Sequence, residues 1–277
     1  MKFYYMKGRR PDFTNHKYMN MIRNNPYVID RIENPSEEMQ LLAVQMNGLA
    51  LQYIKHPSEA VQKAAVANTA RAIQFIDHPS EDMLLQAVQS GWNNLSYIKN
   101  PSPELIDAAL EQSGWAIKYV KDPDEDLQLR AVEKNYDAIK YIQHPTPAVQ
   151  LAAIRGNYEA LRYIEKPTEE AKELAISENE QAIRLIPDIS KEEFLHFLSR
   201  NVLVSKYMPK GISLTPDDWR NTFKAVLSRD DVPEDYVRNF ITCSAVDLTP
   251  ADKVLLVDDC GSKKARRITV DEKLTLK

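Results

Sequence analysis

Apolar positions recur along the middle of the chain with a fixed phase of 22 residues, marked by Pro35, Pro57, Pro79, Pro101, Pro123, Pro145 and Pro167. With the proline as position 1, position 9 is Ala43, Ala65, Ala87, Ala109, Ala131, Ala153 and Ala175, and position 10 is always Val, Leu or Ile. A small residue beside an aliphatic one predicts a helix face in close contact with a neighbour. Position 17 (Leu51, Ile73, Leu95, Ile117, Ile139, Leu161, Ile183) and position 20 (Ile54 through Ile186) are aliphatic and three apart, the spacing of one helical face. Polar punctuation separates these columns. Position 2 is Ser36, Ser58, Ser80, Ser102, Asp124, Thr146 or Thr168, whose side-chain oxygens can accept from the first-turn N–H groups. Acidic residues such as Glu37, Glu59, Glu81, Glu125 and Glu169 follow and complement the helix dipole. Position 13 brings the turn formers Asn47, Thr69, Gly91, Ser113, Asn135, Asn157 and Asn179. Each unit is therefore predicted to be a helix, a turn and a second, shorter helix.

The same phase extends upstream from Thr14 and downstream through Ser190, Leu198 and Asn201, which gives nine repeats over residues 13–210. The outermost two replace the proline with Phe13 and Ile189 and carry Met21 and Phe197 at the alanine position, as terminal repeats do. One such hairpin buries too few side chains to offset the ordering of its backbone, so the expected fold is all-α, an α-solenoid of stacked helix-turn-helix repeats. Beyond it, Thr215-Pro216, Val232-Pro233-Glu234 and Leu248-Thr249-Pro250 each signal a helix start. They predict a C-terminal helical cap over residues 211–259. Residues 260–277 read as a basic tail in which Ile268 to Val270 could form a short strand.

Composition narrows the chemistry. Only 7 of the 277 residues are glycine and none forms Gly-x-Gly, which excludes phosphate-cradling glycine loops. The two cysteines, Cys243 and Cys260, have no Cys-x-x-Cys spacing and no nearby histidine, so no zinc site or disulfide framework is expected. The chain has no signal-like or membrane-length apolar run, and the expectation is a soluble, cytoplasmic protein. Net charge is −4, with basic ends. Residues 1–12 form a basic N-terminal arm with Lys2, Lys7, Arg9 and Arg10 against Asp12, and the last 18 residues carry six basic and two acidic side chains.

The stretch AVQMNGLALQYI, residues 43–54, resembles the helical repeat family known as domain of unknown function 4116, whose signature is AVxxNGxALxY. The resemblance covers most of residues 35–186, and the fixed proline is a departure from the family pattern. It implies the repeat architecture and no activity, cofactor or catalytic residue. The family's occurrence in bacteria, their phages and large viruses implies, as one specialisation, a protein that binds and blocks or recruits a host factor.

Catalytic and metal chemistry find little support in the letters. Asp122, Asp124, Asp126 and Glu133 fall at calcium-loop spacing, but Leu127 replaces the glycine of the sharp turn and Asp124 is more simply an N-cap. His56, His78 and His144 each precede a proline one or more repeats apart, too far to converge on one ion. No nucleophile, base or metal set emerges, so the chain is not expected to be an enzyme. Three columns remain. The rings at position 19 (Tyr53, Phe75, Tyr97, Tyr119, Tyr141, Tyr163, Tyr207) are expected to pack between repeats with their hydroxyls at the rim. Position 18 turns basic in five successive repeats, Lys118, Lys140, Arg162, Arg184 and Lys206, a ladder that could meet a polyanion unless Asp137 and Glu159 pair with it. Position 15 differs every time: Leu49, Arg71, Asn93, Trp115, Asp137, Glu159, Gln181. A repeat protein fixes its core letters and varies those that meet a partner, and Trp92 and Trp115 are the anchors such an interface would use. The sequence thus points to a scaffold that binds another protein without a cofactor, with nucleic-acid binding through the position 18 ladder as the alternative.

Overall fold

A computed structural model describes residues 13–275, and among the described residues all regular secondary structure is helical. The basic arm at 1–12 lies outside the described residues. The chain divides into two compact units, one ending at Asp122 and the other beginning at Pro123.

The first unit holds α1 (Phe13–Asn24), α2 (Glu37–Met46), α3 (Glu59–Asn68), α4 (Glu81–Ser90) and α5 (Pro103–Leu110). Each is followed by a six-residue 3-10 helix: Pro26–Arg31, Gly48–Tyr53, Ala70–Phe75, Trp92–Tyr97 and Gly114–Tyr119. The second unit continues the pattern with α6 (Glu125–Lys134), α7 (Pro147–Gly156), α8 (Glu169–Glu178) and α9 (Lys191–Arg200). Their 3-10 helices are Tyr136–Tyr141, Tyr158–Tyr163, Glu180–Leu185 and Val202–Tyr207. The second element is therefore a tight 3-10 helix, closed by bonds such as Ala50 N–H to the Asn47 carbonyl at 2.9 Å. Side chains three apart eclipse in this geometry, which places positions 17 and 20 on one inward edge. Leu51, Ile73, Leu95, Ile117, Ile139, Leu161 and Ile183 are buried, and all seven position 9 alanines have no exposed surface.

Five of the seven position 2 side chains cap as expected, while those of Ser80 and Ser102 make no cap hydrogen bond and the Ser102 hydroxyl donates to Glu81 instead. Ser36, Ser58, Asp124, Thr146 and Thr168 accept from the backbone N–H three residues on, and Asn47, Asn157 and Asn179 open the 3-10 helices by accepting from the N–H two residues on. A further lock is a glutamine at position 6: the side-chain amides of Gln40, Gln62, Gln128 and Gln150 donate to the proline carbonyl that precedes their own helix. Asn34, Asp122 and Asp188, each the last residue of a repeat, take φ of 50–53°, a left-handed conformation that Asn and Asp adopt at small cost.

In the second unit α10 (Pro216–Leu227), α11 (Glu234–Thr242) and α12 (Pro250–Cys260) begin at the sequence signals. Their core joins Phe223 to Phe240 at 4.5 Å between ring centroids, and the buried Tyr236 hydroxyl donates to the Leu198 carbonyl of α9 at 3.0 Å. The strand expected near Ile268 is replaced by α13 (Lys263–Thr275), which packs on α11. Ser262 accepts from the Ala265 N–H at 3.2 Å, and Ala265, Ile268 and Thr269 are buried at helical spacing. The basic tail is thus largely a packed helix, with Arg238 of α11 paired to Glu272.

Candidate partner-binding face

In the first unit the 3-10 helices carry the candidate side chains outward. Trp115 is 37% exposed and Trp92 is half-buried, their rings edge to face with centroids 6.3 Å apart. Tyr119 lies 6.2 Å from Trp92. The Lys118 ammonium sits over both, 5.2 Å from the Trp92 ring centroid and 4.6 Å from that of Tyr119. Arg71 covers Tyr97 at 5.6 Å, and Asn93 is exposed beside Trp92. Such cation–ring contacts hold a charge at the surface in a fixed place, each worth about 0.5–1 kcal/mol when exposed. The structure therefore gathers Trp92, Trp115 and Lys118 into one cluster and sets Arg71 and Asn93 on the same 3-10 layer.

The two repeats that carry the tryptophans are also those in which the repeat pattern breaks. Gly91 stands where other repeats place a capping side chain, and its N–H turns to the Val88 carbonyl at 3.0 Å. The side chain of Asn94, in a column otherwise of alanine, donates to the Ala87 carbonyl at 2.9 Å. Gln112 from the next repeat donates to the Val88 carbonyl at 2.8 Å, and α5 is shortened to 8 residues. Gln112 gives no signal in the sequence, whereas glycine at position 13 and asparagine in the alanine column at position 16 are visible there. Tertiary fold is kept here by side chains specific to these repeats, a place where local rules yield to another requirement.

The second unit uses the same positions differently. Lys140 is exposed as expected, but its ammonium meets Asp137 at 2.8 Å and lies between Tyr141 and Tyr163, 5.1 and 5.8 Å from their centroids. The hydrogen bond that it donates to the Asp137 carboxylate raises its pKa above the ordinary lysine value. Arg162 lies 3.7 Å from Glu159, Lys206 lies 3.8 Å from Glu180, and Arg184 covers Tyr207 at 5.3 Å. Three of this unit's four ladder cations are therefore matched by carboxylates. The ring column is also more open than expected: Tyr53, Phe75, Tyr141 and Tyr163 are 37–41% exposed. Alanine at position 16, fully buried in Ala50, Ala72, Ala138 and Ala160, takes the interior place beside position 17 and leaves the rings at the surface.

The remaining candidates are structural in their surroundings. Asp124 accepts from the Leu127 N–H at 2.9 Å as an N-cap. Among the described residues no three His, Cys, Asp or Glu side chains converge as metal ligands, and no helix is long and apolar enough to cross a membrane. Fold and surface together define a helical repeat protein of the solenoid type. No family model, curated protein or solved structure matches the chain.

Proposed function

We propose that this chain is a non-catalytic scaffold that binds another protein through the 3-10 helix layer of its first unit. The observation that supports this most is the Trp92–Trp115–Tyr119 cluster, partly exposed and built in the two repeats where the repeat pattern gives way. Exposed tryptophans carry a disproportionate share of interface energy because one ring removes a large apolar area from water with few rotamers to freeze. Arg71, Asn93 and Lys118 form the polar surround.

A bait experiment tests it. The full-length chain should retain one stoichiometric protein partner, and Trp115→Ala should weaken that complex by roughly 30-fold or more, the loss typical of a central interface aromatic. The reading fails if the purified chain instead shifts oligonucleotides, loses them steeply with salt, and does so through Lys118, Lys140 and Arg162 changed together to Glu.

A further inference from the structure

The last helix, α13, carries five basic side chains, Lys263, Lys264, Arg266, Arg267 and Lys273, and two acidic ones, Asp271 and Glu272. Ala265, Ile268 and Thr269 are buried on the side that packs into the cap. Helical spacing puts Lys263, Arg266, Arg267, Val270 and Lys273 on the outer side, and all five are exposed, Val270 at 58%. Among the described residues none of these four cations makes an ion pair. The neighbouring carboxylates are engaged elsewhere, Asp231 with Arg229 at 2.8 Å, Glu234 with Arg238 at 2.7 Å and Glu272 with Arg238. The Glu234 carboxyl is held below its ordinary pKa first by the Arg238 hydrogen bond and only last by the charges of Arg267 and Lys264. Asp258 and Asp259 at the end of α12, and Asp271 on α13, are exposed and pair with none of the four. We propose that the outer face of α13 binds the phosphate backbone of a nucleic acid.

The stability of the helix does not account for these cations. Lys263 lies three and four residues from Arg266 and Arg267, the spacings at which like charges disfavour a helix. A surface that keeps like charges together at a cost to its own helix suits an anion that neutralises them together. Phosphates supply consecutive anions with no cations among them, one charge per about 1.7 Å of duplex axis. The four cations span about 15 Å of α13 at about 1.5 Å per residue, and the arginine forks match phosphate oxygens. A protein partner would have to leave an equally unbalanced run of carboxylates on its own surface. A membrane surface fits less well, because a helix lying in the interface inserts its apolar face. Here Ala265 and Ile268 are buried in the cap and only Val270 is left outside. The helix has no aromatic side chain, so the contact reads backbone charge and not base sequence. It shares no residue with the 3-10 layer proposed to bind protein, and the two readings stand or fall separately.

The test titrates the full chain into a fluorescein-labelled twenty-base-pair duplex of mixed sequence and, separately, into vesicles of phosphatidylcholine with phosphatidylserine. The duplex should bind, and its affinity should fall about 40- to 150-fold between about 50 and 200 mM salt, as three or four phosphate contacts require. Lys263→Glu with Arg266→Glu and Arg267→Glu should weaken the duplex complex at least tenfold at the lower salt and flatten the salt dependence. Acids in a first helical turn are what α10 and α12 already carry, so this variant should keep the urea midpoint of the parent chain. Arg266→Gln with Arg267→Gln, which removes charge and adds none, should act in the same direction. Lys118→Glu, Lys140→Glu and Arg162→Glu together should leave the duplex affinity within twofold. No duplex binding at the lower salt, binding unchanged by either α13 variant, or binding of vesicles without duplex would each overturn the proposal. Loss of the duplex through the Lys118, Lys140 and Arg162 variant alone would overturn it together with the protein-binding reading.

Discussion

The two units are built from one repeat and present different surfaces. Their interiors are interchangeable: Ile73 in the first and Ile139 in the second occupy the same column, both at 2% exposure or less. Their 3-10 layers are not. In the first, Arg71 rests on the Tyr97 ring and Lys118 on those of Trp92 and Tyr119; in the second, Asp137, Glu159 and Glu180 stand within 4 Å of Lys140, Arg162 and Lys206. The lesson is that stacking fixes only the inward columns. The outward ones are free to vary, acidic beside basic in the second unit and aromatic beside basic in the first.

The largest effects should fall where the units agree. Ile73→Ala and Ile139→Ala each remove a buried side chain from a packed layer, and each should cost about 2–5 kcal/mol in urea or guanidinium unfolding. A small loss in one unit alone would mean that its core is not the shared one described. Next in size is Gly48→Ala. A Cβ there would lie 2.3 Å from the Ala65 carbonyl oxygen, and the Gly48 N–H donates to Asn68 at 2.8 Å. The next repeat must move away, at about 1–3 kcal/mol by the usual cost of overpacking. Unchanged stability would show that neighbouring repeats have slack at this turn.

The repeat length, the inward columns, the caps and the starts of α10, α11 and α12 were legible because each depends on a residue type at a fixed spacing. The 3-10 character of the second helix was not. Over six residues, aliphatics three apart satisfy a period of 3.0 as well as 3.6, and only the hydrogen bonds distinguish them. The strand expected at Ile268 came from β-branched letters, whereas Ser262 and the spacing of Ala265, Ile268 and Thr269 carried the helix. The candidate face was half legible. Variation at position 15 and the basic run at position 18 marked it, but which cations meet carboxylates depends on rotamers and on neighbouring repeats, as with Lys206 and Glu180.

A smaller perturbation acts on the second unit's outward layer. Asp137→Asn with Glu159→Gln removes the carboxylates that meet Lys140 and Arg162. Each change should cost only a few tenths of a kcal/mol of stability, the worth of an exposed pair at this spacing. A stability loss near that of Ile139→Ala would show that these pairs hold the fold.

The weakest expected effect lies in acid and follows from how the second unit joins its last repeat to the cap. Lys191 of α9 meets Asp218 of α10 at 2.6 Å, and Asp218 also accepts from the Thr215 N–H and hydroxyl. The Lys191 hydrogen bond first, then those from Thr215, hold this carboxyl down to about 2, against an ordinary value of 3.8. A carboxyl whose folded-state pKa is depressed binds fewer protons folded than unfolded, so the stability it contributes is present above pH 3.8 and is lost as pH falls through about 2. Asp218 is only partly covered from solvent, and the contribution should be small and sensitive to salt. In urea unfolding from pH 6 downward, Asp218→Asn should begin less stable than the parent chain and converge on it between about pH 4 and pH 2. A difference that stays constant through that window would assign the loss to the capping geometry at Thr215 instead of to the charge.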